Sequence, residues 1–136
     1  MKLDQIGYWS EIKLEIIKEY ANAYTSIMSK QSWCKGYVYI DAFAGAGTHI
    51  SRRTGEMVLG SPLNALEVAL PFTEYYFIDL DEDRADFFGK LAGENPNIHS
   101  YHGDCNEILV NDIFPLLGWD AFKRALCILD PYGLHL

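Results

Sequence analysis

The chain has 136 residues, 49% of them hydrophobic and 22% charged, with no low-complexity tract. That composition excludes wholesale disorder and predicts a single domain over residues 1–136 with a real core. The net charge of −8 sets long-range electrostatics against a nucleic-acid backbone, although a local basic patch could oppose it. No apolar run approaches the roughly 20 residues of a membrane span, and Met1-Lys2-Leu3-Asp4 leads into no apolar signal segment. Cys34, Cys105 and Cys127 are not spaced like a metal-ligand set and read as separate thiols in a reducing compartment. A cytoplasmic protein with no metal site and no membrane anchor is expected.

In chain order, residues 9–30 predict an amphipathic helix. Trp9, Ile12, Ile16, Tyr20, Tyr24 and Ile27 recur at helical spacing and form a stripe assigned to the core. Tyr37 to Ile40 is apolar at nearly every position, as in a strand buried on both faces of a parallel sheet. It runs into Asp41-Ala-Phe43-Ala-Gly45-Ala-Gly47, where small residues let a ligand approach the backbone. The third glycine of a dinucleotide fingerprint is replaced by Ile50, which points to a nucleoside cofactor other than NAD. Thr48 to Gly60 then delay the next helix and carry Arg52 and Arg53, where a substrate could reach them or where they line a solvated loop. Gly60-Ser61-Pro62 starts that helix, with Ser61 as N-cap and Pro62 at the first helical position, and it extends through Leu70.

Tyr75 to Ile78 is a second strand, ending at Asp79. Asp81, Glu82 and Asp83 put negative charge at the start of a helix over about 84–92. After the turn cluster from Gly93 to Asn97, Ile98 to Tyr101 is a third strand, ending in His102-Gly103-Asp104. Asn106 caps a short helix reaching about Pro115. Arg124 to Leu129 is a fourth strand, ending in Asp130-Pro131-Tyr132-Gly133. Alternating strands and helices predict an α/β fold: a Rossmann-like, doubly wound parallel sheet in strand order 3-2-1-4 over residues 37–136, preceded by the N-terminal helix. Asp41, Asp79, Asp104 and Asp130 each end a strand. Ligands of open α/β sheets bind beyond those ends, so the acids are expected to face one crevice. Asp104 also suits an N-cap, and Asp130-Pro131 a rigid strand exit.

Taken together, these residues resemble the class I S-adenosylmethionine-dependent methyltransferases. More closely, the chain resembles the three-Cys-motif partner protein family (TcmP). The matching residues are the Trp9/Lys13/Tyr20 helix, Asp41-Ala-Phe43-Ala-Gly45, Gly60-Ser61-Pro62-Leu63, Phe77-Ile78-Asp79, Gly103-Asp104-Cys105-Asn106 and Leu129-Asp130-Pro131-Tyr132-Gly133. A looser likeness is to the ribosomal-RNA adenine-N6 methyltransferases, from whose Asp-Pro-Pro-Tyr this chain differs by one proline, setting Tyr132 one place early.

The resemblance implies S-adenosylmethionine as cofactor. The turn holding Phe43, Gly45 and Gly47 would lie against its methionine portion, and Asp41 would meet its ammonium group. Asp79 would accept from the ribose hydroxyls, Leu80 would pack on the adenine, Asp104 would accept from the adenine amino group and the Cys105 amide would donate to a ring nitrogen. Asp130 and the Pro131 carbonyl would hold a target amine, with Tyr132 beside it. The implied partner is a three-Cys-motif protein, and the implied substrate an amino group of a nucleic acid or of that partner. A methyltransferase sheet continues with three more strands, so an incomplete fold, the N-terminal portion of a longer protein, is expected. Two alternatives stay open: a non-catalytic cofactor- or partner-binding module, and a nicotinamide-dependent enzyme.

Overall fold

The computed structural model describes residues 4–6, 8–42, 48–51, 57–59, 61–118 and 121–129. In chain order the elements are β1 (Asp4–Ile6), α1 (Tyr8–Met28), β2 (Gly36–Ala42), β3 (Thr48–Ser51), β4 (Met57–Leu59), α2 (Ser61–Leu66), β5 (Glu74–Asp79), α3 (Glu82–Glu94), β6 (Ile98–His102), α4 (Cys105–Ile108) and β7 (Lys123–Leu129). A π-helical turn over Leu109–Ile113 and a 3-10 turn over Phe114–Leu117 link α4 towards β7.

Four strands form an all-parallel sheet in the order β6-β5-β2-β7. Numbered along the chain, that is the 3-2-1-4 order expected, and the fold is Rossmann-like α/β. β2 is bonded along both edges: Val38–Ala42 face Glu74–Ile78, and Gly36–Ala42 face Lys123–Leu129. Its side chains alternate between two apolar layers. Val38, Ile40 and Ala42 join Ile78, Cys105, Ile108 and Ile113. Tyr39 joins Ala21, Ala65, Phe72, Phe77 and Phe88 on the other face. There the rings of Phe72 and Phe77 lie 5.3 and 6.4 Å from Tyr39, edge-on to it.

A second, three-stranded sheet holds β3, parallel to β1 and antiparallel to β4. Part of the stretch between Thr48 and Gly60, read above only as a detour before α2, is thus strand.

Three further expectations are corrected. The core face of α1 is not the stripe through Ile16, Tyr20 and Ile27, which are 61%, 59% and 59% exposed. The buried row is Leu14, Ala21 and Thr25, with Tyr24 half-buried and 6.0 Å from the Phe72 ring. Small Ala21 and Thr25 let the helix approach the layer closely, which larger side chains would prevent. α2 stops at Leu66, short of Leu70. The Ala69 N–H donates to the Asn22 carboxamide oxygen at 3.2 Å, away from the carbonyl four residues back that a continuing helix would use. Ser61 already lies inside α2. Finally, the cap of α4 is Asp104, whose Oδ2 accepts from the Glu107 N–H at 3.0 Å; Asn106 lies within the helix.

Phe77 is 1% exposed and sits between the Tyr39 and Phe88 rings. Phe77→Ala is expected to lower the unfolding free energy by about 3–5 kcal/mol, measured by urea denaturation. A loss below about 1 kcal/mol would show that this layer is not the core.

Candidate functional site

The carboxyl end of the parallel sheet is built by strand register. Asp79 closes β5 opposite His102, the last residue of β6. Asp41 lies opposite Phe77, two positions further from that end than Asp79. Among the acids expected to converge, the structure brings Asp79 and Asp104 close to one rim and seats Asp41 one layer lower, inside the sheet.

Asp79 is 4% exposed. Its Oδ1 accepts from the Asp81 N–H at 2.8 Å, which pins the carboxylate beside the start of α3. Its backbone carbonyl accepts from the Gly103 N–H at 3.0 Å, tying the ends of β5 and β6 together. His102 Nε2 stands 2.9 Å from the Leu80 carbonyl, which can only accept, so this ring nitrogen carries the proton. Leu80 is 60% exposed, an apolar side chain held at the rim by backbone bonds on either side. Gly103 takes φ +156, and a Cβ there would meet Ile108 Cδ1 at 3.0 Å, so a glycine is needed to carry the chain from β6 into α4.

Asp104 therefore has two possible duties. One carboxylate oxygen caps α4, and a carboxylate has lone pairs enough to accept elsewhere as well. The first backbone bond of α4 runs from the Ile108 N–H to the Asp104 carbonyl at 3.0 Å. The Cys105 N–H comes before it, among the helix donors that have no intrahelical acceptor. The Cys105 side chain is buried in the layer beneath.

Asp41 is 1% exposed, and its Oδ2 accepts from the Tyr39 phenol at 2.8 Å. This partner was missed in the sequence, although the strand period of two places residues 39 and 41 on one face. Nearby, burial first and then the charges of Asp41 and Cys105 push the Cys127 thiol up to about 11. Burial, with the Asp104 carboxylate second, also raises the Cys105 thiol. Both thiols are held protonated, which makes them poor nucleophiles.

Phe43, Gly45, Gly47, Asp130, Pro131 and Tyr132 lie outside the described residues, as do Arg52, Arg53 and Gly60. Among the described residues, no His, Cys, Asp and Glu side chains are grouped as metal ligands, and no helix is long and apolar enough to cross a membrane. No family model, curated protein or solved structure matches the chain.

The raised Cys127 thiol has a signed consequence. Its neutral form is favoured in the fold, so its contribution is complete below the ordinary thiol value of 9.0 and is lost as pH rises through about 11. Tyr24, raised mainly by burial to about 12, acts with the same sign. Cys127→Ala is therefore expected to flatten, without abolishing, the fall of Tm between pH 9 and 11. Parallel curves for variant and parent would remove Asp41 and burial as causes.

Proposed function

We propose that the chain is the cofactor-binding part of an S-adenosylmethionine-dependent methyltransferase of the three-Cys-motif partner type, acting on an amino group of a nucleic acid or of a partner protein. The observation that carries this is the rim formed by Asp79, Leu80, Asp104 and Cys105. A buried carboxylate ends one strand, an exposed aliphatic side chain follows it, and a second carboxylate with an adjacent helix N–H follows the next strand.

The chemistry of that rim fits an adenine nucleoside. Asp79 is an acceptor suited to a vicinal diol, Leu80 offers an apolar face to a flat ring, and Asp104 with the Cys105 N–H supplies one acceptor and one donor for the ring edge. When bound, S-adenosylmethionine supplies an electrophilic methyl group. The protein's work is then largely positioning: Asp79 and Asp104 fix the nucleoside, and Asp130 with the Pro131 carbonyl would orient the amine lone pair. Tyr132 would stand beside the acceptor. The Tyr39–Asp41 pair supports the strand from which the cofactor turn departs.

Calorimetry with S-adenosylhomocysteine and with NAD tests this directly. The first is expected to bind and the second not; binding of NAD alone would sink the proposal in favour of a nicotinamide enzyme. Asp79→Ala should weaken S-adenosylhomocysteine binding by about 1–3 kcal/mol, the cost of losing a charged acceptor. Transfer of labelled methyl to nucleic acid or protein, abolished in Asp130→Ala, separates an enzyme from a module that only binds.

A further inference from the structure

Two consecutive residues tie the end of β6 to the end of β5. The Gly103 N–H donates to the Asp79 carbonyl at 3.0 Å, and His102 Nε2 donates to the next carbonyl, that of Leu80, at 2.9 Å. The Asp104 carboxylate and the Cys105 N–H follow at the start of α4. The residues proposed to meet an adenine nucleoside, 79–80 and 104–105, are thus set in register by 102 and 103.

The two bonds differ in kind. Asp79 pairs with His102 in the ladder of β5 and β6, and the Gly103 bond continues that ladder. Successive carbonyls of a strand turn to opposite edges, so the ladder that takes the Asp79 carbonyl leaves the next one. β5 ends at Asp79, the chain bends at Leu80, and the His102 side chain donates to the carbonyl that the ladder leaves.

The same peptide is held at its other pole. The Leu80 carbonyl and the Asp81 N–H belong to one planar unit, and Asp79 Oδ1 accepts from that N–H at 2.8 Å. Rotating the unit would break both bonds. It would also remove one of the bonds that fix the Asp79 carboxylate, and shift the point from which the Leu80 side chain leaves the backbone. His102 is exposed and belongs to neither apolar layer, so core packing does not account for its position. Nε2 carries a proton in the neutral tautomer selected here and in the imidazolium alike, so the bond needs a donor and not a charge.

We propose that His102 is a positioning residue of the rim. Its bond to the Leu80 carbonyl fixes the peptide between Leu80 and Asp81. Through that peptide it sets the two groups that would meet the nucleoside from β5, the Leu80 side chain and the Asp79 carboxylate. In this role, which rests on the adenine-nucleoside reading of the rim, His102 acts through Leu80 and Asp79 and not by contact with the ligand. A hydrogen bond made before the ligand arrives reduces the ordering that binding must impose, so its removal shows as lost affinity.

The test uses the full chain. In calorimetry with S-adenosylhomocysteine, His102→Leu, which removes the donor, is expected to weaken binding about tenfold. His102→Gln, whose carboxamide can donate to the same carbonyl, should recover binding to within about threefold of the parent. In a Leu80→Ala background the added loss from His102→Leu should shrink to about threefold or less, because the Leu80 side chain it positions is gone. Amide hydrogen exchange without ligand should quicken at Asp81 by at least about fivefold in His102→Leu, and keep the parent's rate at buried Val38. The proposal is overturned if His102→Leu binds as the parent does, or if His102→Gln loses as much as His102→Leu. It is also overturned if the loss is undiminished in the Leu80→Ala background or if exchange at Asp81 is unchanged. Quickened exchange at Asp81 with no binding of S-adenosylhomocysteine by the parent would instead overturn the adenine-nucleoside reading, and the binding role of His102 with it.

Discussion

The structure depends on burying β2 completely. Gly36–Ala42 is bonded to β5 along one edge and to β7 along the other, with an apolar layer on each face. A strand so enclosed can present groups to a ligand only where it ends. Everything polar within it must be satisfied internally, and the Tyr39 phenol on Asp41 is the example. The same enclosure holds the carboxyl ends of β5 and β6 at a common rim, because their register is inherited from β2 through β5.

The opposite end of the sheet is fastened by a different device. Glu74 accepts from the Tyr76 phenol at 2.9 Å and from His99 Nε2 at 3.0 Å, and its other oxygen lies 3.7 Å from Lys123 Nζ. Lys123 sits on β7, so this contact spans β2, and it crosses where β2 has Gly36. A Cβ at Gly36 would stand 3.2 Å from Lys123 Cγ. Burial, and then the Glu74 carboxylate, raise the Tyr76 phenol. The two ends of the sheet thus divide their tasks: side chains bridge the strands at the amino end, while the carboxyl end keeps Asp79 and Asp104 at the mouth of the strands.

The elements that could be read from the residues were those set by short-range rules. The four parallel strands are runs of apolar residues that a sheet buried on both faces requires, and each was located within about two residues of its observed ends. Asp79, Leu80, Asp104 and Cys105 were legible because strand ends and helix starts place them without reference to anything distant. The errors came where another side chain takes a backbone N–H that the local pattern assigns elsewhere. Asn22 on α1 captures the Ala69 N–H and ends α2 early. The Asp104 carboxylate reaches the Glu107 amide and displaces Asn106 as cap.

Helix α1 shows most clearly where sequence ends and tertiary structure begins. Periodicity predicted an amphipathic helix over residues 9–30, and residues 8–28 are helical, because hydrogen bonding and side-chain spacing along one helix are local. It could not say which of two apolar rows faces inward, since that choice rests on the shape of the layer formed by Ala65, Phe72 and Tyr39 far along the chain. Close packing selected the row with Ala21 and Thr25, and left Ile16, Tyr20 and Ile27 outside. The sequence by itself determined the strand order and set Asp79 and Asp104 beside the ends of their strands. The tertiary structure alone decided which acids are buried, which caps a helix, and which face of α1 is packed inward.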